Sequence, residues 1–214
     1  MRITKIEPQK KHKNRMSVFL DGEFAFGIDA FSLYALKLKE NDEINEEKLS
    51  FIKETTLYES AKTYAANLVS ARSYTERGIY DKLLSYTQDR DITEKTVSFL
   101  KKYKLIDDTD YAKRFFTDGL NIKKYGVRKI KYKLLEKGIS KEIIEKVVIE
   151  AEDHEKEKDN LLALAKKKLG GDFEYKNLMR TKRYLASRGY SFEDIDDVIT
   201  KLKNSSDLSS DEIF

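Results

Sequence analysis

Lys82-Leu83-Leu84, Lys133-Leu134-Leu135 and Tyr184-Leu185-Ala186 bring the same leucine round three times, at intervals of 51 residues. A second phrase follows each one. Ile92-Thr93 precedes Val97 and Leu100, Ile139-Ser140 precedes Ile144 and Val147, and Tyr190-Ser191 precedes Ile195 and Val198. The shared pattern is a large residue, a hydroxyl, then apolar positions five and eight residues after the first. Self-similarity at a fixed period signals one supersecondary unit stacked on copies of itself. Stacked units offer a long surface rather than a pocket.

Working outward, each copy has room for three helices. The first helices fall at about 56–72, 108–122 and 155–169, and the second ones carry the aligned leucines. The third start at a hydroxyl cap, Thr93, Ser140 or Ser191. Gly138 and Gly189 stand where a left-handed C-cap ends the preceding helix. The first copy lacks that glycine and has extra polar residues between Tyr86 and Asp91, which predicts a longer loop. Ahead of the repeats lies the only strand-like segment. Ile3–Ile6 alternates, and Met16, Val18, Leu20 then Phe24, Phe26, Ile28 alternate around Asp21-Gly22. A three-residue loop with Gly22 left-handed aligns Met16 and Val18 with Phe24 and Phe26, giving one apolar face. Asp29 is placed to cap a helix over Ala30–Leu38, and Asn45 one over Glu46–Glu54. The expected architecture is mainly α. Three tandem three-helix repeats form an elongated curved array behind a small N-terminal β-hairpin or β-sheet head. The expected boundaries are 1–55 for the head, 56–106, 107–153 and 154–204 for the repeats, and 205–214 for an acidic disordered tail.

Composition agrees with a surface-rich array. Charged residues make up 37% of the 214-residue chain and apolar ones 40%, against about 25% and 45–50% in ordinary domains. With no cysteine, disulfides and thiolate metal sites are excluded. His12 and His154 are the only histidines, and neither sits in a catalytic motif. Asp107, Asp108 and Asp110 open a helix, where acids cap, so they are not read as a magnesium site. No apolar run spans a bilayer and no signal-peptide core opens the chain, so a cytoplasmic protein without cofactor or catalytic centre is expected.

Positive charge is uneven. Setting aside the three acids of 205–214 turns the net charge of +4 into +7 on the rest. Two stretches hold bases and no acid. One carries Lys123, Lys124, Arg128, Lys129, Lys131 and Lys133; the other Lys176, Arg180, Lys182, Arg183 and Arg188. Both overlap second helices of their repeats. They read either as solvated helix faces or as a stripe that meets phosphates or acids, repeated at module spacing. The lack of compensating acids favours the stripe. Tyr125 and Tyr184 lie beside these bases and serve either base stacking or packing between repeats. Lys10–Arg15 reads as an arm to nucleic acid or as a mobile loop.

These words together resemble the RecX family of bacterial RecA regulators. The resemblance rests on Ser73-Tyr74-Thr75-Glu76 leading to Lys82-Leu83, and on Asp107-Asp108 with Tyr111-Ala112 and Phe115. It continues through Gly126-Val127-Arg128-Lys129-Ile130, Lys137-Gly138-Ile139 and Leu185 with Ser187-Arg188-Gly189-Tyr190. It covers about residues 58–203, with a head similar to that of longer family members. Val127 departs from the pattern, the family often having proline there. The resemblance implies a non-enzymatic, monomeric regulator in DNA repair, recombination and the SOS response. Such a protein lies along RecA–DNA filaments and restrains ATP hydrolysis, strand exchange and filament growth. Single- or double-stranded DNA without sequence specificity is the accompanying partner, and no membrane is involved. A tandem helix-turn-helix DNA reader is the main alternative, although Myb-type repeats build cores from tryptophan and this chain has none. A helical protein scaffold is the other. The acidic tail ending in Ile213-Phe214 looks like those by which single-stranded-DNA-binding proteins dock partners. Disorder without function is its other reading.

Overall fold

A computed structural model describes residues 1–151 and 153–211. The chain divides into two compact units at Asp107/Asp108.

In the N-terminal unit, β1 (Ile3–Pro8), β2 (Arg15–Leu20) and β3 (Glu23–Asp29) form an antiparallel sheet in the order β1-β2-β3. The β2–β3 connection differs from the three-residue loop expected. Leu20 pairs with Glu23 across a two-residue turn in which Asp21 (φ 49°) and Gly22 (φ 90°) are both left-handed. That is the hairpin turn whose twist matches the strands, and aspartate tolerates the conformation. A bulge at Ala25 then restores phase, so Val18 faces Phe26 and Met16 faces Ile28. Val18, Leu20, Phe26 and Ile28 are buried as one face, while Phe24 meets Phe19 edge-on at 5.9 Å on the other.

Helix α1 spans Ala30–Ala35, capped by Asp29 as its side chain accepts from Ser32 N. It stops short of the expected Leu38, because Lys37 turns left-handed (φ 54°) and folds Leu38 into the core. Phe31 and Tyr34 therefore face solvent. From Asn45, which caps α2 (Glu46–Phe51), the chain runs on through a π-helical turn (Ile52–Leu57) into α3 (Tyr58–Ala71). There is thus no break near residue 55. Ile52, Leu57 and Ala61 share one core with Ile3, Val18, Phe26 and Ile28, so head and first module pack together.

The first module continues with α4 (Glu76–Thr87) and α5 (Arg90–Lys102) around Ile79, Leu83, Val97 and Leu100. Its α4–α5 connection is two residues, not the longer loop expected. Gln88 takes the left-handed C-cap (φ 56°) that glycine fills elsewhere. Asp89, rather than Thr93, caps α5 by accepting from Ile92 N. Thr93 is buried inside the helix, its hydroxyl shared between Thr87 Oγ1 and Asp89 O. Burial pushes the Asp89 carboxyl pKa up, but the Ile92 N–H and Lys53 ammonium outweigh it and hold the group below its usual range.

The C-terminal unit holds two modules of the same plan. Helices α6 (Asp108–Asn121), α7 (Val127–Glu136) and α8 (Lys141–Ala151) enclose Phe116, Ile130, Leu134 and Val147. Helices α9 (His154–Leu169), α10 (Tyr175–Ser187) and α11 (Phe192–Asp211) enclose Leu161, Leu185, Ile195 and Ile199. Gly138 (φ 84°) and Gly189 (φ 99°) end α7 and α10 as expected, and Ser140 and Ser191 accept from Ile143 N and Asp194 N to start the next helices. Residues 205–211 depart from the disordered tail expected, since α11 continues through them. No glycine or proline follows Gly189 to stop it. The tail's end, residues 212–214, lies outside the described residues. Among the described residues, no helix is long and apolar enough to cross a membrane.

Candidate functional site

Helix α7 buries Val127, Ile130 and Leu134, which leaves its cations on the remaining surface. Their partners sort the expected binding residues into two groups. Lys131 pairs with Glu145 at 2.9 Å, and Lys182 with Asp196 at 2.7 Å. Lys129 donates to Ser187 O at 2.7 Å, and Arg188 donates to the backbone carbonyls of Lys123 and Lys124. Those four are structural anchors. Among the described residues, Lys124, Arg128 and Lys133 have no acidic partner. The Lys123 ammonium sits 5.8 Å from the Phe115 ring centre. Arg180 and Arg183 are exposed and bond only within their own helix, to Asn177 Oδ1 and Met179 O.

Lys131 and Lys182 tie helices within their own modules, whereas Lys129 and Arg188 belong to a clasp between the second and third modules. Gly126 N donates to Arg188 O at 2.9 Å, and the two backbones touch there. A Cβ on Gly126 would lie 2.5 Å from Gly189 O, and one on Gly189 would lie 2.4 Å from Lys129 Cβ. Tyr190 OH donates to Lys124 O, and buried Asn160 donates to Leu120 O. Burial and the Glu157 charge push the Tyr190 hydroxyl pKa up, so it stays a donor. Glu157 accepts from Val127 N at 2.8 Å, a carboxylate at the start of α7 where Gly126 offers no side-chain cap. Proline at 127 would have no N–H to give, which explains the valine.

Four cation–aromatic contacts lie around the seam, of which Arg188 over Tyr125 crosses it. Lys129 and Arg188 lie over Tyr125 (4.9 and 5.0 Å), and Arg188 and Lys168 over Tyr184 (5.6 and 5.3 Å). Both tyrosines are half-buried and each already holds two cations, Tyr125 one from each module and Tyr184 two from its own. Lys168 also marks what sequence reading missed. Lys166, Lys167 and Lys168 are an exposed run closing α9, legible as charge but hidden by the ordinary preference of helix C-termini for cations.

The N-terminal basic connection is anchored rather than a free arm. Arg15 is 4% exposed, donates to Gly27 O at 2.6 Å and lies 3.8 Å over Tyr86. Tyr86 stacks on Tyr64 at 4.0 Å, and His12 meets both rings edge-on. Desolvation, then the charge of Arg15, lower the His12 pKa below 6.5, against the Ser85 backbone, with Lys11 adding to the effect. Gln9 Oε1, His12 Nε2 and the Nε and Nη1 of Arg15 are buried there without partners.

Three family models match this chain. Residues 1–45 match the regulatory protein RecX N-terminal domain, 107–148 the second three-helix domain of RecX, and 155–199 the third. A protein of Clostridium beijerinckii named Regulatory protein RecX is 40% identical over 206 residues, 94% of this chain and 95% of its own length. The chain belongs to the RecX family. A RecX relative from Clostridium botulinum is 38% identical over 208 residues, 95% of this chain and 97% of its own. The crystal structure of a regulatory protein RecX superposes with a TM-score of 0.62 at 25% identity, covering 92% of this chain and 98% of that one. The fold and the three-helix modules are therefore those of RecX proteins.

Proposed function

We propose that this chain regulates the RecA recombinase by binding its filaments, restraining ATP hydrolysis, strand exchange and filament growth. It acts by binding rather than by catalysis, as a monomer in the bacterial cytoplasm. Membership in a family of regulatory proteins supports this reading. The observation that carries it is the set of cations left free once the clasp is made. Lys123, Lys124, Arg128 and Lys133 lie in the second module, and Arg180 and Arg183 in the third. A surface with so little compensating acid suits a filament of protein and polyanion, and contact with DNA would be sequence-independent. Binding more than one protomer at once multiplies weak contacts through effective concentration. It also favours whichever protomer state fits, opposing the cycling that ATP turnover needs.

The test is RecA ATPase and strand exchange titrated with wild type and with a K124E/R128E/R180E/R183E variant, alongside DNA binding without RecA. These positions are exposed or lack acidic partners, so the variant keeps its circular-dichroism spectrum. Loss of inhibition with a shallower salt dependence is expected. Full inhibition by the folded variant refutes the assignment.

A further inference from the structure

The outward face of α7 carries Arg128, Tyr132 and Leu135, spaced i, i+4 and i+7 on one side of the helix. Tyr132 is 62% and Leu135 40% exposed, and neither belongs to the module core. Fifty-one residues later the same positions of α10 hold Met179 (37% exposed), Arg183 and Ala186. Each face thus sets one arginine beside exposed large apolar side chains, Tyr132 and Leu135 on α7 and Met179 on α10. In α4 the corresponding residues are Arg77, Asp81 and Leu84, with an acid at the centre. The pairing therefore belongs to the second and third modules alone, the two that the clasp fastens together within one unit.

We infer that this repeated face is a protein-docking surface, made for a partner that presents acids beside an apolar patch and presents them more than once. Tyrosine, methionine and arginine are enriched at the cores of protein interfaces, where lysine is depleted. A phosphate backbone would gain nothing from an exposed Tyr132 or Met179, since these lower the free energy only when covered by apolar surface. Two such faces on one compact unit suit two equivalent sites, as identical subunits of a filament provide. The inference rests on the functional reading above and sharpens it. The apolar members of the face read protein, and the lysines around them read charge.

The test is a Tyr132→Ala/Met179→Ala double variant of the full chain. Both positions are exposed and mid-helix, alanine suits them, and the net charge is unchanged. Affinity is measured for RecA filaments on single-stranded DNA and for the same DNA without RecA, over a range of salt. Filament affinity is expected to fall about tenfold or more, the loss of an interface anchor. Affinity for naked DNA and its salt slope should stay unchanged. Equal losses for both ligands would overturn the inference by making the face a DNA contact. A wild-type chain that binds filaments, with a double variant that binds them as well, overturns the face alone. A wild-type chain that binds no filament overturns the functional reading and the face with it.

Discussion

Gly126→Ala should loosen the clasp without disturbing the backbone that carries it. Gly126 has φ −69° and ψ 154°, a conformation open to any residue, so the added methyl acts by sterics alone. Its Cβ would meet Gly189 O at 2.5 Å, Gly189 C at 2.6 Å and Tyr190 N at 2.9 Å, all backbone atoms that cannot rotate away. Ordinary contact begins near 3.4 Å, so the seam must open by about 1 Å. Overpacking of this kind costs about 1–3 kcal/mol. Stretching the Gly126–Arg188 bond and those from Arg188 and Tyr190 to Lys124 O adds about 1 kcal/mol or more. A loss of about 3 kcal/mol lowers the melting temperature of a unit near 100 residues by roughly 12 °C. Calorimetry should show it in the transition of the C-terminal unit. Gly170→Ala is the control. Gly170 has open space around it but φ +60°, so alanine there meets only left-handed strain of about 1–2 kcal/mol. If Gly126→Ala melts within 2 °C of wild type, or above Gly170→Ala, the close-approach argument fails.

Three further outcomes are expected. His12 has a folded-state pKa below its unfolded value near 6.5, so the unfolded chain takes up the proton first as pH falls. Stability of the N-terminal unit should then hold above pH 6.5 and decline below it, and His12→Gln should flatten that step in melts at pH 5.5 and 7.5. Thr181 occupies the place of Ile79 and Ile130 in the other modules, with its hydroxyl buried and unbonded. Thr181→Val should raise stability by about 1 kcal/mol in urea melts, and a loss would show that the hydroxyl has a partner. Asp89→Ala removes the α5 cap and the Lys53 pair together, costing about 1–2 kcal/mol at pH 7. The deficit should shrink as acid protonates the wild-type carboxylate, and a gap that stays constant down to pH 2 would exclude the charge.

The repeat made most of the fold legible, because each module's core is set by local periodicity. Leu83, Ile130, Leu134 and Leu185 all fall inside as their spacing implies. Turn chemistry was legible where glycine signals it and hidden where it does not. Gln88 adopts the left-handed cap at Gly138's station, so the connection read as long turned out short. Asp21 likewise turned left-handed beside Gly22 and moved the extra residue into a bulge. The candidate surface was legible as charge but not as allegiance. Lys129 and Arg188 find partners 58 to 65 residues away, and no local pattern shows which cation a distant carbonyl will take. Arg15 was obscured in the same way, since its burial depends on Tyr86, far along the chain.

At the station of Gly126, 51 residues on, the third module has Asn177. Its side-chain amide turns back to donate to Leu169 O, at the end of α9, and to Asp172 O in the α9–α10 loop. In the second module the corresponding loop gives its carbonyls to Arg188 of the next module, and a bare glycine lets that neighbour approach. Asn177 withdraws both invitations. A further copy brought to this face would meet a side chain where it needs none, and loop carbonyls already satisfied. At this station the third module is closed on itself: its amide serves its own carbonyls, where the second module's loop carbonyls serve a neighbour.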